Sequence, residues 1–166
     1  MFGKGRLGSL RATGMPVVDA RDDFQRARRA QVAGRAGRWL SAQRRRPNVP
    51  RSLADAEGLP RRAGRLEVIP LAAIVGTLEP TALFDARFRP ASERVRTRWE
   101  RIALAHRKGL ALPPIVVLER PDGYYVVDGR HRVSVALALG HADIDAYVTQ
   151  VAALPPESAA GVRLAA

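Results

Sequence analysis

Three side chains that donate hydrogen bonds, Arg130, His131 and Arg132, follow a glycine in the segment Asp128-Gly-Arg-His-Arg132. The first amide groups of a helix lack partners inside it, and the helix dipole places partial positive charge there. Gly129 lets the backbone approach a ligand closely, and an arginine can hold a phosphate with two hydrogen bonds. The segment, called the Asp128–Arg132 corner below, is therefore a predicted phosphate site. A plain strand, turn and helix whose arginines face water would explain the same residues.

The corner lies between two predicted elements. Tyr124–Val127 is a β-branched and aromatic run that predicts a strand, and apolar residues at helical spacing up to Gly140 predict a helix. The continuous apolar run Ile115–Leu118 indicates a central strand buried on both faces. The turn residues Arg120-Pro-Asp-Gly123 then predict a hairpin that delivers the chain to the corner.

Flanking elements complete a small mixed α/β pattern. Leu66–Ile69 predicts a strand, residues 75–91 are irregular, and residues 91–108 predict a helix ending at Gly109. Alternation across residues 143–148 predicts a last strand with one face in water. The predicted fold class is therefore α/β (α+β), a small mixed-sheet domain preceded by a basic N-terminal helix.

Charge divides the chain unevenly. Residues 1–65 contain 16 basic and 5 acidic side chains, whereas residues 66–166 contain 12 and 11. We therefore predict a basic N-terminal region (1–65), a compact domain (66–152) and a C-terminal tail (153–166). Within the first region, residues 1–18 are predicted to be a flexible arm and residues 47–65 a proline-marked linker.

A basic helix is predicted between the arm and the linker, from Asp19 as its cap to Arg46 in its last turn. Its excess charge predicts contact with nucleic acid phosphates, without sequence specificity. The arginines assigned to this contact are Arg28, Arg35, Arg38, Arg44, Arg45 and Arg46. A solvated arm, or a helix that packs on the domain or on a second copy, is the alternative, so a homodimer is left open.

Composition excludes several classes of function. The chain has no cysteine, which removes disulfides, thiolate metal sites and thiol catalysis together. No histidine spacing is typical of zinc, so no metal site built from protein ligands alone is expected. No apolar run is long enough to cross a bilayer and no export signal is visible, so a cytoplasmic location without membrane contact is the expectation.

The order of elements and several motifs resemble the ParB/sulfiredoxin superfamily over about residues 66–150. The motifs are Val68-Ile-Pro-Leu71, His106-Arg-Lys-Gly109, Pro114-Ile-Val-Val117, Gly123-Tyr-Tyr-Val-Val-Asp-Gly129 and the corner itself. ParB proteins hold a nucleoside triphosphate with Gly-Glu-Arg-Arg, of which Gly129 and Arg132 match here. The resemblance thus implies a nucleoside tri- or diphosphate, with or without magnesium, as the ligand.

Departures from the family narrow what is expected. Sulfiredoxins carry Gly-Cys-His-Arg, and Arg130 occupies the position of the catalytic cysteine, which excludes that reaction. A related group of serine kinases uses an Asp-Gly-His-His-Arg corner, which leaves a kinase open. No helix-turn-helix follows the corner, since about 17 residues remain after Thr149. Clamp formation and sequence-specific DNA binding are therefore not expected.

Individual side chains receive alternative roles. Gly129, Arg130, His131 and Arg132, with Arg87 and Arg89 from the irregular stretch, form the predicted phosphate-binding set. Asp128 is expected to cap the helix, with a catalytic base or magnesium ligand as its alternative. Glu93 is the second candidate for proton or magnesium chemistry, and Asp85 is a further candidate ligand in the same stretch.

Three functions follow from these residues. The first is a regulatory module that binds a nucleotide at the corner and nucleic acid through the N-terminal region. The second is a nucleotide-dependent enzyme, namely an NTP hydrolase, a nuclease or a small-molecule kinase. The third is a protein-interaction module whose pocket is degenerate.

Overall fold

The computed structural model describes residues 12–39, 50–52, 64–78 and 81–150, which form a mixed sheet with three α-helices. The helices are α1 (Pro16–Trp39), α2 (Arg96–Arg107) and α3 (Arg130–Ala138). The strands are β1 (Arg51–Ser52), β2 (Arg65–Pro70), β3 (Ile74–Thr77), β4 (Ile115–Arg120), β5 (Gly123–Asp128) and β6 (Asp143–Gln150). The predicted α/β (α+β) class with an N-terminal helix is confirmed.

The sheet has the order β1-β3-β5-β4-β6-β2. β4 is antiparallel to β5 and parallel to β6, so it lies inside the sheet, as its apolar run predicted. The β4–β5 hairpin and the one wet face of β6 are also as predicted: Asp143, Asp145 and Tyr147 are exposed while Ala146 and Val148 are buried. The hairpin places the end of β5 beside the start of β4, where the corner begins.

Two strands differ from the prediction. Ile74–Thr77 forms β3 and pairs in parallel with β5, although residues 75–91 were predicted to be irregular. A four-residue strand that contains a glycine is too short to show periodicity, which explains the miss. β1 lies inside the predicted linker and pairs in parallel with β3. Residues 47–49 and 53–63 of that linker lie outside the described part of the chain.

Helix α1 begins earlier than predicted. Its first residue is Pro16, a residue suited to the first helical position because its missing N–H has no partner there in any helix. Asp19 lies within the first turns, and its Oδ1 accepts hydrogen bonds from the backbone N–H (2.9 Å) and Oγ1 (2.8 Å) of Thr13. The prediction that Asp19 is the cap residue was therefore wrong. Residues 40–46, assigned to the same helix, lie outside the described residues.

Helix α1 shares a hydrophobic core with α2 and α3. The ring of Phe24 meets Trp99 edge-on at 5.5 Å, and both side chains are fully buried. The rest of this core comprises Ala20, Ala27, Phe84, Val95, Ala103, Val135 and Leu139. The charge boundary near residue 65 thus does not separate α1 physically from the elements that follow.

A buried ion pair joins α1 to the end of α2. Arg107 donates through Nε to Oδ2 of Asp23 (2.6 Å) and through Nη2 to Oδ1 (2.9 Å). The side chain of Asp23 is 1% exposed and that of Arg107 is 11% exposed. The hydrogen bond to Asp23 raises the pKa of Arg107 above its ordinary value. Asp19 stands 3.5 Å from the same guanidinium.

The second core lies between the sheet and α3. Val133 and Ala136 of α3 pack on Ile115, Val117 and Val126 of the sheet. On its other side α3 contacts α2, where Nε1 of Trp99 donates to Oγ of Ser134 at 2.8 Å. Helix α3 is therefore fixed on two sides, and so is its first turn.

Removing the carboxylate of Asp23 should destabilise the fold. The Asp23→Ala variant leaves the guanidinium of Arg107 buried with only the weaker attraction of Asp19 and Asp22, and breaking a buried pair costs about 3 kcal/mol of unfolding free energy. Asp22→Ala is the control, since Asp22 is exposed; its change should stay within about 0.5 kcal/mol. Urea denaturation measures both. Equal losses in the two variants would contradict the role given to Asp23.

Candidate functional site

The Asp128–Arg132 corner forms as the sequence predicted. β5 ends at Asp128, α3 begins at Arg130, and Gly129 between them has φ 109°. A Cβ atom at Gly129 would lie 2.5 Å from Cγ2 of Ile115, so only glycine fits. The first hydrogen bond inside α3 runs from the N–H of Val133 to the carbonyl of Gly129. The amides of the first turn make no bond inside the helix and point toward the corner.

Arg132 ties the corner to the chain before β4. Its Nη1 donates to the carbonyls of Pro113 (2.5 Å) and Pro114 (2.6 Å), and its Nη2 donates to Oδ2 of Asp128 (2.7 Å). The side chain of Arg132 is 12% exposed, whereas that of Asp128 is 64% exposed. The expectation that Asp128 caps α3 was wrong: Gly129 is the cap residue, and the carboxylate of Asp128 holds Arg132 instead.

His131 is half-buried in the first turn of α3. Its ring meets the ring of Phe84 edge-on at 5.1 Å. Burial, followed by the positive charges of Arg98 and Arg130, lowers the pKa of His131 to about 4, with Asp128 acting in the opposite direction. The imidazole is therefore neutral at physiological pH, and the corner has an excess of positive charge around it.

Arg98 of α2 is a member of this cluster that the sequence reasoning missed. It is exposed on α2, and its positive charge acts on His131. The sequence places α2 and α3 more than 20 residues apart, and no spacing rule joins them. Only the packing of the two helices brings Arg98, Arg130 and His131 together. This arrangement offers donors and positive charge, which suit an anion.

The irregular stretch is organised by Asp85, which is fully buried. Its Oδ1 accepts from the backbone N–H groups of Arg87 and Arg89, both at 2.9 Å. Its Oδ2 accepts from Nε of Arg89 at 2.8 Å, and Nη1 of Arg89 donates to the carbonyl of Ala30 at 2.6 Å. The side chains of Asp85 and Arg89 thus bind to other groups of the protein. These contacts hold the loop against α1.

Arg87 and Arg89 lie beside the later turns of α3. They line a pocket of about 420 Å³ between α1, the loop and α3. Its lining residues are Asp23, Arg26, Ala27, Ala30, Arg87, Phe88, Arg89, Ser134, Leu137 and Ala138. None of the corner residues is among those that line this pocket.

The two candidate catalytic carboxylates are engaged in different places. Glu93 accepts from Nε of Arg28 at 3.2 Å and stands 3.9 Å from Nη1 of Arg96. Asp128 is bound to Arg132. No contact in the described part of the chain joins the two carboxylates.

The predicted nucleic-acid arginines fall into three groups. Arg28 also donates to the carbonyl of Pro90 at 3.2 Å, so it holds α1 on the loop. Arg35 is exposed on α1. Arg38 lies in α1, but its side chain falls outside the description, as do residues 44–46 entirely.

Two further properties concern only the described residues. None of their helices has the length and apolar character required to span a bilayer. Within the same ranges, no group of three or more histidine and carboxylate side chains is arranged to hold a metal ion.

Comparison with known proteins assigns the family. The model of the ParB N-terminal domain matches residues 71–162, more than half of the chain. The chain belongs to this family. The match spans β3, α2, β4, β5, the corner, α3 and β6, and it confirms the resemblance to the ParB/sulfiredoxin superfamily.

Among solved structures, sulfiredoxin from Arabidopsis thaliana is similar at 24% identity, over 51% of this chain and 83% of that chain, with a TM-score of 0.34. A likeness at this level carries no argument about chemistry. The comparison with curated proteins gives no match.

Gly129→Ala should destabilise the ParB-like domain strongly. The new Cβ meets Ile115 and the backbone must keep a positive φ, so we expect a loss of about 3 kcal/mol or more. Gly140→Ala is the matched control, because Gly140 also has a positive φ (76°) but open space around it; its loss should be about 1 kcal/mol. Thermal unfolding of both variants checks this. Equal losses would contradict the close approach at Gly129.

His131 should make stability depend on pH. Its folded pKa of about 4 lies below the ordinary value of 6.5, so the unfolded chain binds this proton first as the pH falls. The stability that depends on a neutral His131 is therefore fully present above pH 6.5 and is lost progressively as the pH falls toward 4. His131→Gln should therefore lose less stability than the wild type between pH 7.5 and 5, measured by urea denaturation at each pH. Parallel pH curves would contradict the buried, neutral state of His131.

Proposed function

We propose that this ParB-like domain binds the phosphates of a nucleotide at the Asp128–Arg132 corner. The observation that carries the proposal is the convergence of Arg98, Arg130 and His131 on the glycine-capped start of α3. Helix amides and arginine side chains together are a common means of holding a phosphate. Membership of the ParB N-terminal domain family supports the same ligand class.

Each corner residue has a distinct part in this binding. Gly129 allows the phosphate to approach the first-turn amides, and Arg130 and Arg98 supply positive charge. The neutral ring of His131 can donate one hydrogen bond, and it can also take up a proton when a phosphate arrives. Arg132 and Asp128 shape the corner rather than contact the ligand. A magnesium ion would be held mainly by the nucleotide phosphates.

The contacts favour a binding module over an enzyme. The two carboxylates considered for catalysis, Asp128 and Glu93, are already bound to arginines. We therefore propose a regulatory role in which the bound nucleotide changes the surface around α2 and α3. Turnover of the nucleotide is the alternative that the experiment below must test.

The proposal includes contact between the basic N-terminal region and nucleic acid. Its support is the excess of 16 basic over 5 acidic side chains in residues 1–65. We assign this contact to Arg35, Arg38 and residues 44–46. Arg28 leaves the set because Glu93 and the carbonyl of Pro90 occupy its guanidinium. Since α1 belongs to the core, substitutions rather than deletion of the region are the suitable test.

Calorimetric titration with ATP, CTP, GTP and ADP, each with and without magnesium, tests nucleotide binding. Arg130→Ala should weaken binding by about tenfold or more, because a hydrogen bond from a charged donor contributes about 1.5–3 kcal/mol. Arg120→Ala is the control: it removes the same charge from an exposed position at the β4–β5 turn. Its affinity should match the wild type.

Two results would count against the proposal. If no nucleotide produces binding heat, the proposed phosphate site is wrong. If Arg130→Ala and Arg120→Ala weaken nucleotide binding equally, only the net charge of the protein matters. Phosphate release from the bound nucleotide, abolished by Asp128→Asn, would select the enzyme instead.

A further inference from the structure

A row of cationic side chains lies along the outward side of α2. Its members, called the α2 cationic row, are Arg98 and Arg101 of α2, Arg94 in the 3₁₀ turn Glu93–Val95 just before α2, and Lys108 directly after α2. They are separated by four, three and seven residues, and this spacing places side chains on one side of a helix. All four residues are exposed, whereas Trp99 and Ala103 on the other side are buried.

The charged residues of α2 differ between its two sides: those toward α1 are paired with acidic residues, and those toward solvent, within the described part of the chain, are not. The arginines toward α1 have acidic partners: Arg96 donates to Glu100 at 2.7 Å, and Arg107 is paired with Asp23. Both acidic residues of this segment, Glu93 and Glu100, pair with Arg96. Within residues 12–39, 50–52, 64–78 and 81–150, no carboxylate forms an ion pair with a member of the row.

This sorting leaves like charges close together. Positive side chains three or four residues apart on a helix repel one another and destabilise it. The repulsion would be relieved by a ligand with regularly spaced negative charges. The row also adjoins the corner, because the charge of Arg98 acts on His131. A positive surface therefore continues from α2 to the start of α3.

We propose that the α2 cationic row binds the phosphate backbone of a nucleic acid. The 3₁₀ turn and α2 together carry the chain from Arg94 to Lys108 over about 22 Å, at about 2.0 Å per residue in the turn and 1.5 Å in the helix. One strand of B-DNA places about six phosphates over that length. The row is a different surface from the N-terminal arginines. It shares with the proposed function only the kind of partner, a nucleic acid, and in that respect it rests on that proposal.

An anionic membrane fits the row less well. Helices that bind membrane surfaces place large apolar side chains beside their cations, so that these side chains enter the lipid. None of the exposed large hydrophobic residues in the described part of the chain belongs to α2. The row thus offers charge without an apolar anchor, as contact with a phosphate backbone requires.

Fluorescence anisotropy with a labelled duplex of about 20 base pairs and mixed sequence tests the proposal on the full chain. The logarithm of affinity falls with the logarithm of salt concentration by about 0.9 for each phosphate contact. Arg98→Gln/Arg101→Gln should therefore lower the magnitude of the slope by about 1.8 and weaken binding roughly tenfold at low salt. Circular dichroism should show an unchanged melting curve, since both side chains are exposed.

The matched control is Arg87→Gln/Arg120→Gln, which removes two charges from exposed positions outside both the row and the N-terminal region. It should retain the slope of the wild type. An equal decrease in both double variants would show an effect of net charge alone and overturn the proposal. Poly-L-glutamate and phosphatidylserine vesicles test the choice of partner. If the wild type binds either of them as tightly as DNA, and the row variant loses that binding, nucleic acid is not the specific partner of the row.

The two proposals fail in different ways. If the row variant retains the wild-type slope while substitution of Arg35, Arg38 and residues 44–46 lowers it, the row is excluded and the N-terminal contact stands. If the wild type does not bind DNA or RNA, both nucleic-acid contacts are excluded. Arg98 belongs to both surfaces, so nucleotide binding at the corner is tested separately, with Arg130→Ala rather than with the row variant.

Discussion

The attachment of Arg132 to two neighbouring strands fixes the shape of the candidate site. One guanidinium joins the carbonyls of Pro113 and Pro114, just before β4, to the carboxylate of Asp128 at the end of β5. Gly129 packs against Ile115 at the same point, where a side chain would not fit. The backbone at Gly129 also has a positive φ of 109°, and α3 begins at the next residue. The position of the first-turn amides follows from these contacts.

The packing of α2 then determines which charges face that turn. Trp99 lies between Phe24 of α1 and Ser134 of α3, so all three helices meet at one buried side chain. The preceding residue, Arg98, is exposed, and its positive charge acts on His131 in the first turn of α3. On the opposite side of α2, the pair between Arg107 and Asp23 anchors α1. Helix α2 thus carries its ion-paired arginines on one side and its solvent-facing arginines on another.

Local sequence signals were sufficient for the sheet around the site. The apolar run at Ile115–Leu118, the turn at residues 120–123 and the glycine at 129 each have a direct physical meaning, and the structure agrees with all three. β3 was missed because a short strand paired in parallel depends on β5, which is distant in sequence. The roles of Asp128 and Asp19 at helix starts were wrong, since each carboxylate found a partner several residues away.

Charge was harder to interpret than hydrophobicity. In the sequence, the excess of arginine in residues 1–65 indicated a separate arm, but the apolar side of α1 binds it to the core. Arg28 and Arg89 appeared available for phosphates, yet both hold α1 and the loop together through protein oxygens. Whether an arginine is paired depends on contacts between elements, and sequence spacing reports only contacts within one element.

The central claim is that a phosphate binds at the start of α3, and amide chemical shifts of the ¹⁵N-labelled full chain test it directly. On titration with ATP, CTP and GTP in the presence of magnesium, at least one nucleotide should move the amide signals of Gly129, Arg130 and His131 most. Signals of β2, at the far edge of the sheet, should remain in place. Shifts confined to other residues, or none at saturating nucleotide, would contradict the account.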